Sequence, residues 1–475
     1  MSAFEPAIAA QDPPGALRAE IGRTARLALP LVLGQLSAVA MNFVDTMLAG
    51  HHGAQSLAAV AVGSAVWSVV ILVLVGVLMA VPPSVAQLVG AGRREAIGPL
   101  YRQALWLALG LGLLLWLAVG QSRWLLAAMA IDPAVRPLAA AYLDVLRFGA
   151  PALALLFASR YLSEGTGWTW PTLVAGLGGV SLLAPVGYVL MHGIGPWPGR
   201  GVPGLAEATV LVLWLQALGL MAYLRFVPRF RDLDLFAHWQ PPHPRELAQL
   251  LKLGLPIGVA VFMEGSLFVA TALLIGRLGT VAVAAHGIAI NVSSLAFMLP
   301  LGVAMATTIR IGTAAGAGDG ASVRRIGTAG YVIVLATQLL AAAVMAFGGT
   351  WIAAAYSDDA AVVALGATLL LYAAAFQFPD GVQALSAGAL RGLKDTTWPM
   401  LITLIAYWGI GMPVGAWLGL ARHGGAPGMW GGLIAGLSVA ALLLGWRFRR
   451  LSRHWARGSG PAQAPGLPAE GAAAE

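Results

Sequence analysis

The apolar residues of this chain neither alternate with polar ones nor form a helical stripe. They come in repeated runs of about 20 residues, long enough to cross a bilayer. One such run contains "VVILVLVGVLMAV", Val69 to Val81. The backbone must satisfy its own hydrogen bonds in lipid, so each run is expected to be a helix. A transmembrane barrel would instead need polar–apolar alternation, and none is found. The pattern predicts twelve spans, roughly 26–48, 58–81, 103–120, 138–158, 170–192, 204–224, 250–275, 285–308, 327–347, 361–387, 397–420 and 428–446.

Charge falls between the runs, and unevenly. Of the 28 Lys and Arg residues, 22 lie at the tails and on the even-numbered loops. Five lie on the odd-numbered loops (Arg123, Arg136, Arg200, Arg277 and Arg422), and Arg147 is inside span four. By the positive-inside rule both termini are cytoplasmic. The net charge of +8 therefore reflects topology, and its spread over separate loops argues against nucleic acid as a partner.

The two halves of the chain repeat. Leu29–Pro30 returns at Leu255–Pro256. "GHHGAQSLAAVAVG" from Gly50 returns as "GRLGTVAVAAHGIA" from Gly276, and "GAG" at Gly90 returns at Gly316. All three pairs share one offset of 226 residues. "WP" at Trp170 and Trp398, and "GVPG" at Gly201 with "GAPG" at Gly425, follow in the same order. Six spans per half make a parallel repeat about an axis along the membrane normal, as in one class of secondary transporter. The expected fold is an all-α integral membrane protein with twelve transmembrane helices in two pseudo-symmetric six-helix bundles around a central cleft. The expected parts are a cytoplasmic tail (1–25), a first lobe (26–228), a cytoplasmic linker (229–246), a second lobe (247–450) and a disordered tail (451–475).

Composition agrees. Charged residues are 10% of the chain and hydrophobic residues 59%, where a soluble domain carries about 25% charged. With no cysteine there is no disulfide framework or thiol chemistry. The first residues have no apolar core of a signal peptide.

Three carboxylates interrupt the apolar runs: Asp45 in "MNFVDTMLAG", Glu264 in "VFMEGSLF" and Asp380 in "FQFPDGVQ". A charge at mid-membrane costs about 2.5–3.5 kcal/mol on insertion scales, so such residues mark function. For Asp45, near the outer end of its span, the bland alternative is a cap or a snorkelling side chain. Glu264 lies about 14 residues past Leu250, roughly 21 Å deep, and Asp380 about 11 residues before Arg391, roughly 16 Å deep. Two carboxylates at similar depth cannot both be ionised cheaply, so one holds a proton or the pair holds a cation. Pro379 and Gly381 flank Asp380 and predict a broken helix there, with freed carbonyls able to support a cation. Asp144 and Arg147, at i and i+3, are expected to pair with each other. Glu164 is expected to be solvated in a loop. His51, His52, His192, His286 and His423 are expected at external loops, in no metal-binding context. No Walker, dinucleotide or G-x-S-x-G motif has a plausible setting.

The stretches "FVDTMLAG", "LGLPIGVAVFMEGSLF", "AAHGIAINVSSLAFMLPLGVAMATTIRIG", "FQFPDGVQALSAGALRGLKDTTWPM" and "ITLIAYWGIGMPVG" together resemble the multidrug and toxic-compound extrusion (MATE) transporters of the NorM-like branch. The resemblance spans most of the chain. It implies an antiporter that exports small amphipathic, mostly cationic compounds in exchange for H⁺ or Na⁺, works by alternating access and needs no cofactor. It implies a monomer in contact with membrane lipids, in the inner membrane of a bacterium. Asp45, Glu264 and Asp380 match the family's coupling carboxylates. Na⁺ is the one metal in prospect, at Glu264 and Asp380, with Phe376, Pro379 and Gly381 as supporting residues. This chain departs from the pattern in two places. Leu183 and Gly187 stand where relatives often carry asparagines, and Phe376 stands where a tyrosine hydroxyl would help hold Na⁺. Protonation is then the simpler role for Asp45. Rival readings are a lipid-linked precursor flippase of the same superfamily, an intramembrane enzyme and a non-transporting scaffold. A flippase would line its cavity with cations, and an enzyme would need a catalytic pair that the long repeat does not favour. An efflux assay separates the scaffold.

Overall fold

The computed structural model describes residues 17–129, 131–236, 238 and 240–456. Twelve helices are long and apolar enough to cross a membrane. They are α1 (Leu17–His52), α2 (Ala54–Gly90), α3 (Arg94–Gly120), α4 (Arg136–Gly165), α5 (Trp170–His192), α6 (Val202–Phe226), α7 (Pro244–Gly276), α8 (Thr280–Gly316), α9 (Gly320–Tyr356), α10 (Ala360–Gly392), α11 (Thr397–Ala421) and α12 (Gly425–Trp455). Every expected span lies within one of them. Most of the helices outrun their apolar cores, because helical hydrogen bonding does not stop where hydrophobicity does. Residues 17–25 of the expected first tail thus belong to α1, and 451–456 of the expected last tail complete the helix that begins at Gly425. The remainder of both tails lies outside the described residues. A two-residue hairpin, Gly193–Ile194 with Trp197–Pro198, closes the connection after α5.

Irregular backbone falls in particular places. The helix of α2 is interrupted after Leu78, ahead of Pro82 and Pro83. Within α4 a 3₁₀ turn, Arg147–Gly149, precedes Pro151. The expected break at Pro379 is absent, and α10 is one continuous helix. Pro379 lacks an N–H, so the Ala375 carbonyl loses its helical donor, but the helical path survives, as membrane helices often allow. The irregular helix is α11, with π-helical turns at Ile405–Gly411 and Trp417–Ala421.

The repeat is also visible in the backbone. Gly53 (φ 145°) and Gly279 (φ 104°) adopt left-handed-side conformations one repeat apart, as do Gly92 (φ 70°) and Gly318 (φ 72°). These are turns that only glycine enters without strain.

Contacts divide the chain into two compact units. One holds Leu33–Val85 and Arg93–Phe262; the other holds the residues up to Val32, Ala86–Gly92 and those from Met263 onward. The boundaries cut through α1 and α7 rather than through residues 229–246. The described residues of that segment are fastened within the first unit. Arg102 Nε donates to Gln240 Oε1 at 3.0 Å, Gln103 Nε2 to the Pro241 carbonyl at 3.0 Å, and Arg94 pairs with Asp232 at 2.7 Å. In the same unit a Cβ on Gly76 would lie 2.4 Å from the Gly258 Cα. In the other unit a Cβ on Gly302 would lie 2.9 Å from the Val32 nitrogen, the same contact one repeat away. There too, Arg310 of α8 is buried against α1, donating to the Glu20 carboxylate and to Thr24 Oγ1.

Candidate functional site

Asp45 is buried on α1, seven residues before the helix ends at His52, so it is neither a cap nor a snorkelling group. Its hydrogen-bond donor is Thr209 Oγ1 of α6, at 3.4 and 3.5 Å from the two carboxylate oxygens, long contacts for a hydroxyl. Thr209 shares that hydroxyl with the Leu205 carbonyl at 3.2 Å. Tyr142 of α4 is within electrostatic range of Asp45 and bonds to Ser64. No Lys, Arg or His pairs with Asp45 among the described residues. Beside it, Leu183, Ala208 and Val212 form a dry cluster with Met41 and Val44. A Cβ on Gly187 would lie 2.8 Å from Leu48 Cδ1, so a larger residue there would have to push the Leu48 side chain aside.

The second constellation lies in the other unit. Glu264 (α7) is half-buried and Asp380 (α10) buried, and the two charges act on each other. Both also act on the hydroxyl of Tyr407, a fully buried residue in the first π-helical segment of α11. The structure thus brings Glu264 and Asp380 together and adds Tyr407, while Asp45 belongs to the other unit. Asp380 accepts no hydrogen bond among the described residues, and Arg391 is the cation within range of Glu264. Several buried oxygens nearby in the fold also lack partners: Tyr407 Oη, Gln383 Oε1, Gln338 Oε1 and Thr307 Oγ1. Gln338 is held by its other atom, donating to Gln377 Oε1 at 2.6 Å. Unpaired buried acceptors are uncommon and need a partner, whether a proton, water or cation.

The three supporting residues have separate roles. Phe376 is buried edge-on between Phe268 and Trp430, with centroids 6.0 and 5.7 Å away, and Trp430 Nε1 donates to His286 Nδ1 at 3.2 Å. Phe376 therefore stiffens the wall and offers no ligand atom. Gly381 lets α9 approach, since a Cβ would lie 2.7 Å from Val334 Cγ1 and 2.8 Å from Gln338 Cγ. Pro379 unpairs a carbonyl without breaking the helix. Tyr407 was missed because a lone tyrosine in "IAYWGIG" looks like interfacial or core aromatic. A hydroxyl in an otherwise apolar span was the available signal.

Three other expectations are corrected. Asp144 pairs with Arg123 at 2.7 Å, not with Arg147, whose guanidinium stacks 5.0 Å from the Trp116 ring. Glu164 is not solvated; it is fully buried within α4, bonded to Arg160 at 2.6 Å and to Thr172 Oγ1 at 2.8 Å. His286 is buried inside α8 against Trp430 rather than on an external loop. Among the described residues no three His, Asp or Glu side chains gather as a metal site.

Two related six-helix halves with isolated carboxylates in apolar surroundings define a polytopic membrane transporter rather than a receptor or a soluble binding protein. The MatE family pattern matches residues 30–189 and 256–417, one stretch in each half. The chain belongs to this family, the multidrug and toxic-compound extrusion transporters, and to its NorM-like branch. It is 52% identical over 443 residues, covering 93% of this chain and 97% of the relative, to a protein named "Probable multidrug resistance protein NorM" from Xanthomonas campestris pv. campestris. It is 41% identical over 450 residues, covering 93% and 94%, to "Multidrug resistance protein PmpM" of Pseudomonas aeruginosa. The crystal structure of the eukaryotic MATE transporter AtDTX14 shares the fold, with a TM-score of 0.84 at 18% identity over 93% of this chain and 99% of that one.

Proposed function

We propose that the protein is a cation-coupled antiporter that exports amphipathic, mostly cationic compounds across a bacterial inner membrane, exposing its carboxylates to each side in turn. Related proteins carry multidrug-resistance names, which supports the cargo class. The single observation that carries the coupling is Asp45: a buried carboxylate, weakly hydrogen-bonded, with no positive partner among the described residues. A buried charge without a partner is unstable and must take up a proton or sit beside a cation. A proton and a cationic compound therefore compete for it. Linkage makes the competition reciprocal, so each weakens the other by the same factor. A proton arriving from outside releases cargo, and cargo arriving from inside releases the proton. Glu264, Asp380 and Tyr407 form the second coupling site, for H⁺ or Na⁺. With leucine at 183 and glycine at 187, protonation is the role of Asp45 in this reading.

The test is ethidium efflux from proteoliposomes with pH and Na⁺ gradients imposed separately. Wild type is expected to respond to the pH gradient, and Asp45→Asn to lose that response. Binding of a permanently cationic dye should strengthen as pH rises in wild type, because ionised Asp45 attracts it, and should be nearly flat across pH 5–8 in Asp45→Asn. A mutant that keeps the wild-type pH dependence would remove Asp45 from the coupling.

A further inference from the structure

At the membrane end opposite the termini, α4 and α6 begin beside the short helix Ser122–Ala128 and line an open cavity of about 520 Å³. Its polar groups are Arg123, Arg136 and Asp144, and its apolar wall includes Ala140, Val145 and Pro203. All of these belong to one compact unit. The volume falls within the usual range of about 300–1,000 Å³ for small-ligand sites.

The charges do not balance. Asp144 is taken by Arg123 at 2.7 Å, a pair whose arginine is 78% exposed. Arg136 has no carboxylate partner among the described residues. Its Nη2 reaches the Ile131 carbonyl at 3.3 Å, and its Nε is buried with no partner. A buried guanidinium N–H left unpaired costs free energy until an acceptor arrives. Arginine on these loops also runs against the charge asymmetry of the chain. Arg123 and Arg136 are two of only five basic residues on the odd-numbered loops, and both line this one cavity. The cavity carries one net positive charge.

We propose that this cavity binds the phosphodiester of a phospholipid headgroup, with Arg136 as its principal donor and Arg123 as its second. A guanidinium fork matches two phosphate oxygens, and a phosphodiester carries the one negative charge the cavity lacks. The surroundings select a lipid over a free anion. Trp124, next to Arg123, is exposed as an interfacial aromatic would be. Leu113, Leu114 and Leu117 are exposed along the last turns of α3, a surface suited to acyl chains. A primary ammonium on the headgroup would meet Asp144, which favours phosphatidylethanolamine over a headgroup without a donor.

Native mass spectrometry of the purified full chain, titrated with phosphatidylethanolamine, phosphatidylcholine or inorganic phosphate, tests this. Wild type is expected to retain one more phosphatidylethanolamine than Arg136→Ala, with at least tenfold tighter binding, and to prefer it over phosphatidylcholine. Arg123→Ala changes a largely exposed side chain and should weaken the same binding. Ala141→Trp fills the cavity while leaving both arginines, and should abolish it. Equal lipid retention by wild type and all three variants would overturn the proposal. Displacement of the lipid by millimolar inorganic phosphate would overturn the lipid as the source of the anion.

Discussion

In the proposed mechanism single side chains carry the coupling, and in the second unit they are expected to act together. Glu264, Asp380 and Tyr407 lie within one another's electrostatic reach, and the buried oxygens of Tyr407 and Gln383 lack partners. Groups that serve one bound ion give non-additive losses when removed. Glu264→Gln, Asp380→Asn and the double substitution should therefore lose similar amounts of gradient-driven dye efflux. Losses that are small and additive would separate the two carboxylates. Tyr407→Phe sharpens the test. If the hydroxyl merely sits unpaired, its removal should raise thermal stability slightly, because an unsatisfied buried group is gone. If it serves the ion, transport falls with stability unchanged, and that is the expected result. The covered carboxylates of Asp45, Glu264 and Asp380 were legible in the sequence because a carboxylate in an apolar run is conspicuous. Tyr407 was not, since a tyrosine is ordinary in membrane helices. The Asp144–Arg123 pair was not either, because its partners lie 21 residues apart on separate helices, beyond any local spacing rule.

Helices were legible in number and position but not in length. Hydropathy reports the part of a helix that faces hydrocarbon, and α1 and α7 continue well beyond it in polar turns. The start of α9 shows what sets such an end. Asp319 caps it, accepting from the Ser322 backbone N–H at 2.9 Å and from Ser322 Oγ at 2.5 Å. One repeat earlier, Arg93 precedes α3 and caps nothing. Burial pushes the Asp319 carboxyl up, but the bonds from Ser322 and Ala321 and the nearby Arg325 outweigh it and hold its pKa below the ordinary value. A depressed carboxylate stabilises the fold above its unfolded pKa, and the contribution fades as pH falls through the folded one. Asp319→Ala should cost about 1 kcal/mol near neutral pH, and the difference should shrink below about pH 4. Asp319→Asn, which caps without titrating, should stay close to wild type at neutral pH. Thermal unfolding in detergent at several pH values reads all three. A deficit in Asp319→Ala that ignores pH would show that the charge does not matter.

For the whole molecule, we propose that twelve crossings leave the two ends of the chain on one side of the membrane, and the charge asymmetry predicts that this side is the cytoplasm. Arg231, exposed in the 3₁₀ turn after α6, is a suitable reporter in a chain that has no cysteine of its own. Arg231→Cys should react with an impermeant maleimide only in inside-out vesicles. Labelling in intact spheroplasts would reverse the orientation. The repeat was legible from five landmarks, and its depth is physical: glycines one repeat apart make the same backbone turns and the same close contacts. What sequence alone did not reveal is where the compact units divide. Hydropathy shows spans and loops, not which half of a long helix packs with which neighbours.

That division bears on how the chain is assembled. The first part of α1 packs with residues from beyond Met263, and the first part of α7 packs with residues from before it. Each half of the gene thus encodes a body that lacks one piece of itself and holds a piece of the other. If the repeat arose by duplication, the single copy must have met a second copy to complete its packing. Cutting the chain between residues 236 and 240 should therefore give fragments that are degraded when made alone and recovered when made together. Co-expression of the two fragments with different tags, followed by purification on one tag, measures this. Stable, separately purified halves would show that the exchange is dispensable.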